Sequence, residues 1–356
     1  MRLSDGTVSG ILAISHLIAA ALVTTLFAAP AAAAPPRLDG AWPDPVSLES
    51  VGGRPITFPS SSPFTLSDVG PDSDKDPPTT AQGTLFLPAR ASPTSRVPAV
   101  VLLHGAAGVQ DARDLAYGRQ LAAMGVAALS VDAFASRRDR ASSFLERLIE
   151  ITEAMILADA YSGLHYLAAR PDIDARHIAL VGFSYGGMVT LYAAQAMVAE
   201  RYSPDGLRFA GHAAFYAPCI ARFDDKRATG APVLMLMGGK DELVDRKRCA
   251  EVAQDLRAGG AAVETVVYPE AMHQWDGAWP GPRRMSRNLA DCAFAVRRSG
   301  LVQDTLTFMP MLGPNTRKLI LAACSNSDGY LIGRDDAVRA QSNRELGRFL
   351  ETVFAR

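Results

Sequence analysis

A serine between two glycines is the first feature of this chain whose residue types and spacing could do chemistry. Gly182-Phe183-Ser184-Tyr185-Gly186 fits the pattern G-x-S-x-G, in which a sharp strand-to-helix turn exposes a serine hydroxyl. The apolar run at residues 178–183 precedes it and a helical pattern follows it, which is the context that the turn requires. Side chains at either glycine would collide across so tight a bend. Ser184 is therefore the candidate nucleophile.

A serine hydroxyl is a weak nucleophile until a base takes its proton, and the chain has 6 histidines. In enzymes with this turn, the acid and then the base follow the serine along the chain. Only His273 follows a predicted strand late in the sequence, so it is the candidate base. The others lie in the N-terminal apolar segment, inside a helix, beside strands or before the nucleophile: His16, His104, His165, His177 and His212.

The acid that orients the base should lie between these two residues, at the end of a strand. Asp241 fits, because it follows the apolar run 233–237 in a glycine turn. It would accept the ring proton of His273 and stabilise the imidazolium. Glu242 and Asp245 are nearby rivals, and we expect Asp245 to cap the next helix instead.

Two backbone amides would have to hold the charged oxygen of an acyl-transfer intermediate. The first expected donor is the N–H of Tyr185, the residue after the nucleophile. The second should come from the loop His104-Gly105-Ala106-Ala107-Gly108, with Ala106 as the chosen residue. A plain glycine-rich turn is the alternative interpretation of that loop.

Strands and helices alternate from residue 84 onwards. Apolar runs predict strands at 84–87, 99–103, 126–131, 178–183, 213–216, 233–237 and 263–268. Helical spacing predicts helices at 111–124, 142–169, 185–199, 248–258 and 336–354. This order favours an α/β fold with a doubly wound, mostly parallel sheet and helices on both faces. Ligands bind such sheets at the carboxyl ends of the strands, where the candidate residues fall.

The chain divides by composition into four segments. Residues 1–34 read as a secretory signal peptide, although the apolar stretch could also stay as a membrane anchor. Residues 35–83 form an extension with strand-like pieces at 56–58 and 64–69 and a loop at 71–80. Residues 84–300 form the core, and residues 301–356 a C-terminal segment that ends in a helix. We expect an exported protein, periplasmic or extracellular, with no membrane segment after cleavage.

The charges are balanced, with 36 Lys and Arg against 37 Asp and Glu. This balance gives no reason to expect nucleic acid as a partner. The pairs Arg137-Arg138 and Arg283-Arg284 are predicted to be solvated surface. No cysteine or histidine cluster has zinc spacing, so no metal site is predicted. The sequence leaves the oligomeric state open.

Export would let the 4 cysteines form disulfides. We favour Cys219–Cys249 and Cys292–Cys324, because each closes a loop of moderate length between adjacent predicted elements. Four buried free thiols are the alternative.

The segments HGAAG, GFSYGG, GGKDELV and YPEAMH, in this order, resemble the dienelactone hydrolase family of the α/β-hydrolase superfamily. The resemblance runs from about residue 84 to residue 275. It implies the α/β-hydrolase fold and hydrolysis of esters or lactones without a cofactor. Ser184 departs from the family's namesake enzymes, which use a cysteine nucleophile. The chain is thus similar to an exported serine member, acting on a small-molecule ester.

The namesake enzymes also bind a substrate carboxylate with two arginines. Here the first segment is shifted by one residue and ends in Arg137, and the second position is Gly277. A muconate-type dienelactone is therefore not the expected substrate. Aromatic residues beyond strand ends or near His273 could line a substrate pocket, or could simply pack in the core: Phe134, Tyr216, Trp275 and Trp279.

Two other functions stay open from the sequence. A serine peptidase of the prolyl-oligopeptidase kind shares the serine turn but usually carries a large additional domain. An exported binding protein could have kept the fold without activity, although a complete set of serine, aspartate and histidine argues against that.

Overall fold

A computed structural model describes residues 36–48, 50–70 and 73–356 of the chain. The predicted signal peptide at 1–34 lies outside these residues. None of the helices in the described ranges is both long and apolar enough to cross a bilayer.

An eight-stranded sheet carries the fold, in the order β1-β2-β4-β3-β5-β6-β8-β9. β1 and β2 form an antiparallel hairpin, β2 joins β4 antiparallel, and all further pairs are parallel. The order confirms the mostly parallel, doubly wound sheet. The strands of the described residues are β1 Arg54–Ser61, β2 Pro78–Phe86, β3 Val97–Leu103, β4 Ala127–Asp132, β5 Ile173–Phe183, β6 His212–Phe215, β7 Ala221–Phe223, β8 Val233–Gly238, β9 Val263–Tyr268, β10 Arg283–Met285, β11 Phe294–Val296, β12 Val302–Asp304 and β13 Tyr330–Ile332.

Helices cover both faces of this sheet, because its central strands are apolar on both sides. Along β3, Val101 and Leu103 face one core and Val100 and Leu102 face the other, as a repeat of two requires. The first core includes residues of α3 and α4, and the second those of α1, α6 and α8. The helices are α1 Ala116–Ala123, α2 Phe144–Glu150, α3 Glu153–Ala168, α4 Tyr185–Ala193, α5 Ala196–Tyr202, α6 Arg246–Ala258, α7 Pro314–Cys324 and α8 Asp336–Phe354.

Two predicted long helices are each divided in two. The pattern at 142–169 breaks at Ile151 and Thr152, which take extended backbone angles and are both buried. The helix after Ser184 breaks where Gln195 turns extended and pairs with Ala228. Side-chain periodicity continues across both breaks, so the sequence pattern alone could not place them. The predicted helix at 111–124 likewise starts with a π-helical turn at Asp111–Leu115 before α1.

The N-terminal segment contributes directly to the main sheet. β1 extends beyond the predicted piece at 56–58, and Pro78, placed in a predicted loop, starts β2. The prediction of a strand at 64–69 was wrong, because these residues include a 3-10 turn at Leu66–Asp68. There the Asp68 carboxylate accepts from the backbone N–H and hydroxyl of Thr65, a local bond that competes with strand pairing.

Several elements after residue 220, in the end of the core and in the C-terminal segment, were not predicted from the sequence pattern. β7, β11 and β12 form a small sheet, and β10 pairs with β13. α7 precedes β13, and α8 matches the predicted helix at 336–354.

Both favoured disulfides are confirmed, Cys219–Cys249 and Cys292–Cys324. The first ties the segment after β6 to α6, and the second ties the segment before β11 to the end of α7. Cross-links of this kind are typical of proteins in an oxidising compartment.

Arg137 is buried, so the prediction that it lies on the solvated surface was wrong. Its guanidinium is buried and binds the buried carboxylate of Asp159 at 2.6 Å, and it also donates to the carbonyl of Ser61 in β1. The bridge satisfies both charges inside the protein and holds the edge hairpin to α3. The other pair, Arg283-Arg284, is exposed as predicted.

The two disulfides should raise the unfolding free energy by similar amounts, because they close loops of similar length, with sequence separations of 30 and 32 residues. In the chain-entropy model, Cys292→Ala with Cys324→Ala should lower the unfolding free energy by about 3–4 kcal/mol, and so should Cys219→Ala with Cys249→Ala. Guanidinium unfolding of each double variant beside the oxidised wild type measures this. An unfolding free energy equal to that of the wild type would contradict the contribution.

Candidate active site

The turn that carries Ser184 combines a rare backbone conformation with two close approaches at its glycines. Ser184 has a positive φ of 52°, which is rare for a residue with a side chain. A Cβ on Gly182 would lie 2.1 Å from the Gly186 carbonyl oxygen, and one on Gly186 would lie 2.3 Å from that of Leu103. The Ser184 N–H donates to the carbonyl of Phe215 in the neighbouring strand at 2.9 Å. The glycines thus permit a close approach that fixes the serine at the carboxyl edge of the sheet.

The three residues singled out from the sequence lie in one hydrogen-bonded chain. His273 Nε2 lies 2.8 Å from Ser184 Oγ, and His273 Nδ1 lies 2.7 Å from Asp241 Oδ2. All three side chains are nearly or fully buried. Since a carboxylate accepts, Nδ1 carries the ring proton, and Nε2 is left to accept from the serine hydroxyl. The arrangement can remove a proton from Ser184.

The rivals of Asp241 have other partners. Asp245 caps α6 as expected, accepting from the N–H groups of Lys247 and Arg248. Glu242 binds Arg284 and accepts the backbone N–H of Leu331. The second oxygen of Asp241 accepts the N–H of Leu243 at 2.9 Å, which fixes the carboxylate orientation.

The loop of His273 is held by the C-terminal segment, which sequence reasoning missed. The His273 N–H donates to the carbonyl of Leu331 at 3.2 Å, and its own carbonyl accepts from Gly333 at 3.1 Å. The imidazole lies between the rings of Tyr216 and Tyr330, with centroids 4.8 and 5.3 Å away. β13 and its neighbours therefore fix both the backbone and the ring of the histidine. No local pattern around residue 331 signals this.

The loop after β3 lies against the serine. A Cβ on Gly105 would be 3.4 Å from Ser184 Cβ. The Nε2 atom of His104 is 3.2 Å from the N–H of Ala133, so it accepts there, and Nδ1 donates to the Gly105 carbonyl at 2.8 Å. The Gly108 N–H donates to the same carbonyl at 3.0 Å. In a trans peptide the N–H points opposite to the carbonyl, so these two bonds set the direction of the Ala106 N–H. Among the described residues, the Ala106 N–H has no acceptor.

The side chain of Tyr185 points away from the serine and anchors the start of α4. Its hydroxyl donates to the Ile151 carbonyl at 2.8 Å and accepts from Arg317 of α7 at 3.3 Å. Arg317 also binds Glu153 at 2.8 Å. Burial raises the pKa of the Tyr185 hydroxyl well above its usual value, so it stays neutral. Its backbone N–H, in the first turn of α4, has no intrahelical acceptor.

The four aromatic pocket candidates lie in different surroundings. Phe134 packs edge-on against the His104 ring at 4.5 Å, beside the loop that faces the serine. Trp275 is completely buried and donates its indole N–H to Ser342 of α8, which makes it a core residue. Trp279 is 44% exposed beneath Arg283, with the guanidinium 4.4 Å from the ring centroid.

Tyr216 packs against the His273 ring and helps to hold it in place. It is fully buried, has a positive φ of 39°, and donates its hydroxyl to Asp276 at 2.5 Å. Burial raises the pKa of Asp276, an effect that the nearby Arg113 and the bond from Tyr216 partly oppose. A strained residue at this place is typical of functional sites.

A model of the dienelactone hydrolase family matches residues 82–278, more than half of the chain. A Yersinia pestis protein provisionally named carboxymethylenebutenolidase is 27% identical over 51% of this chain and 70% of its own length. A Bradyrhizobium protein provisionally named 2-oxo-3-(5-oxofuran-2-ylidene)propanoate lactonase is 26% identical over 55% of this chain and 80% of its own.

Among solved structures, a dienelactone hydrolase of Klebsiella pneumoniae, also provisionally named, is 23% identical. The match covers 62% of this chain and 88% of that chain, with a TM-score of 0.44.

The close approach at Gly186 gives a direct test of the turn. Gly186→Ala should lower the unfolding free energy by at least about 2 kcal/mol, because its methyl group would overlap the carbonyl oxygens of Leu103 and His104. Gly281→Ala is the matched control, with no atom within 4 Å of the added methyl group. Thermal and denaturant unfolding measure both. Equal stability of the two variants would show that the turn is not constrained in this way.

Proposed function

The chain belongs to the dienelactone hydrolase family and is a hydrolase of ester bonds, and from this premise we propose that it cleaves carboxylic esters or lactones through an acyl-enzyme on Ser184. The observation that carries the proposal is the buried chain from Ser184 Oγ through His273 to Asp241, with distances of 2.8 and 2.7 Å. Nε2 is within hydrogen-bond reach of the hydroxyl whose proton it would take, and the Asp241 carboxylate is within reach of the Nδ1–H that it would hold.

In the first half of the reaction, His273 Nε2 takes the Ser184 proton as Oγ attacks the carbonyl carbon. Asp241 holds the Nδ1–H and stabilises the imidazolium that forms. The negative oxygen of the tetrahedral intermediate accepts from the N–H groups of Tyr185 and Ala106. As the intermediate collapses, His273 returns its proton to the leaving alcohol oxygen, and an ester to Ser184 remains.

In the second half, water replaces the alcohol. His273 takes a proton from the water molecule as the water oxygen attacks the acyl-enzyme carbonyl carbon. It then returns a proton to Ser184 Oγ as the ester bond to the serine breaks. An ester substrate yields a separate alcohol and acid. A lactone yields one molecule that carries both a carboxylate and a hydroxyl group.

We propose that Arg137 does not bind a carboxylate group of the substrate. That guanidinium is already bound to Asp159 inside the protein, and the position four residues past His273 is Gly277. Phe134, beside the loop of His104, is the proposed aromatic wall of the substrate pocket. Apolar esters and lactones are thus the favoured substrates.

We also propose that the protein works outside the cytoplasm. The two disulfides favour an oxidising compartment, and the apolar segment before residue 35 would supply the export signal.

Ser184→Ala should lower p-nitrophenyl acetate turnover by at least about a thousandfold with the fold intact. Asp241→Asn should lower kcat by about 10⁴: with its oxygen held by the Leu243 N–H, the asparagine would turn its NH2 group toward Nδ1 and favour the wrong histidine tautomer. Asp245→Asn is the matched control and should retain activity, since asparagine caps helices as well as aspartate. Steady-state kinetics with circular dichroism of each variant checks this. Full activity of Ser184→Ala would end the proposal.

His104→Phe tests the second oxyanion donor. The change keeps a ring against Phe134 but removes one of the two bonds to the Gly105 carbonyl, and only the bond from the Gly108 N–H remains, so the direction of the Ala106 N–H is less firmly fixed. We expect kcat to fall by at least about tenfold, part of the cost of losing one such donor. His165→Phe, at a half-exposed histidine of α3, should leave kcat unchanged. A wild-type kcat in folded His104→Phe would show that the His104 side chain does not position this donor.

A further inference from the structure

The proposed reaction does not use Arg317, a buried arginine of α7. Arg317 is 4% exposed and lies outside residues 82–278, the portion that the family model matches. Its guanidinium nevertheless donates at 3.3 Å to the hydroxyl of Tyr185, the residue after the nucleophile. The backbone N–H of Tyr185 is the first proposed oxyanion donor. A side chain from the C-terminal segment thus contacts a residue of the proposed oxyanion site.

The guanidinium of Arg317 is fixed by bonds to two other elements. Nη1 and Nη2 each donate to one carboxylate oxygen of Glu153, at the start of α3, at 2.8 Å. Nε donates to the carbonyl of Leu148, in α2, at 2.7 Å. Burial alone would raise the pKa of Glu153, but the charge of Arg317 lowers that pKa below its usual value, so the carboxylate stays ionised. A planar group held on both edges has little freedom to turn.

The Tyr185 hydroxyl lies between this guanidinium and the break that separates α2 from α3. It donates to the Ile151 carbonyl at 2.8 Å while it accepts from Arg317. Carbonyls at the end of a helix have no intrahelical partner, and here Arg317 and Tyr185 bind those of Leu148 and Ile151. The tyrosine side chain is therefore anchored at its far end, to elements that are remote from it in sequence.

This anchor bears on the strained turn at Ser184. The nucleophile has φ 52° and ψ −111°, outside the regions that residues with a side chain usually occupy. A change of φ toward the usual negative range would move the start of α4, and the Tyr185 N–H with it, relative to β5. Unusual angles of this kind persist only where the surroundings hold them. The anchored tyrosine opposes the movement, because its hydroxyl would leave both partners.

We propose that Arg317 is a positioning residue, which keeps the Tyr185 N–H directed at the oxyanion by holding the Tyr185 hydroxyl. It acts through Tyr185 rather than on the substrate. The helix that carries it is secured at both ends, by the Thr316 hydroxyl, which accepts the Gly313 N–H at 3.1 Å, and by the disulfide of Cys324. An arginine on so firmly held a helix can resist a displacement of Tyr185. The inference rests on the proposed acyl-enzyme reaction, within which it assigns a role.

The first test is Arg317→Lys in the full chain, with p-nitrophenyl acetate as the ester. Lysine keeps the positive charge beside Glu153 but lacks the planar fork that binds Leu148, Glu153 and Tyr185 together. We expect kcat/KM to fall by at least about tenfold, part of the factor of about 10²–10³ that loss of an oxyanion donor costs. Rates are expressed per Ser184 that a fluorophosphonate labels, so that unfolded chains do not count. A wild-type kcat/KM in this variant would overturn the inference.

A transition-state analogue separates positioning from a loss of folded protein. 1,1,1-Trifluoroacetone would add to Ser184 as a tetrahedral hemiketal whose charged oxygen occupies the oxyanion position. Its inhibition constant should rise in Arg317→Lys by about the factor by which kcat/KM falls, because both report binding of the oxyanion. An unchanged inhibition constant beside a lowered kcat/KM would show that Arg317 does not act on the oxyanion donors.

Tyr185→Phe tests the route from Arg317 to the donor. Removing the hydroxyl removes both of its bonds, so this variant should lose at least as much kcat/KM as Arg317→Lys. The double variant should then lose less than about twofold more than Tyr185→Phe alone, because both changes break one anchor. A double variant whose loss equals the product of the two single losses would show that Arg317 acts by another route.

Val353→Ala is the stability control. Val353 is a buried residue of α8 that packs near Gly211, at the amino end of β6 and so at the opposite edge of the sheet from Ser184. It should lower the unfolding free energy and leave kcat/KM and the inhibition constant unchanged. Equal kinetic losses in Val353→Ala and Arg317→Lys would attribute the effect to stability and overturn the inference. A failure of the proposed reaction would appear separately, as turnover that survives Ser184→Ala.

Discussion

The placement of the His273 ring is the constraint on which the rest of the candidate site depends. An imidazole on a loop can reach a serine hydroxyl in many orientations, but only one of them aligns both ring nitrogens. Here the ring is fixed by Asp241 at one end, by Tyr216 and Tyr330 on its sides, and by two backbone bonds to the segment around Leu331. Together these contacts remove the freedom that would otherwise be lost in each reaction cycle.

Two residues near the centre of the molecule have strained backbone angles, and the surrounding contacts must offset the free-energy cost of that strain. Ser184 and Tyr216 both have positive φ values, at the ends of neighbouring strands. The core residues of β5 and β6 are almost completely buried, and hydrogen bonds from Ser184 to Phe215 and from Tyr216 to Leu236 tie the two turns to the sheet. A rigid sheet can hold conformations of this kind, which a flexible loop would relax.

The sequence predicted the parallel sheet, most helices and the three residues of the hydrogen-bonded chain, because each follows from a local rule. An apolar run marks a buried strand, a glycine pair marks the serine turn, and chain order selects Asp241 and His273. What it could not predict depends on contacts between distant residues. Leu331 and Gly333, which form hydrogen bonds with His273, lie in an irregular segment. Arg137 and Asp159, which form a buried ion pair, cannot be told from surface charges in the sequence. The breaks at Thr152 and Gln195 likewise have no local signature.

The segment that secures His273 lies beyond residue 278, where the family match ends. Recombination that exchanged only the shared portion between family members would carry over Ser184, Asp241 and His273 and leave behind the strand that holds the imidazole in register. Such hybrids would keep every signature residue and lose the alignment between them. The tail and the shared portion therefore act as one structural unit, in which a change near Leu331 would be felt by a histidine loop far away in the chain.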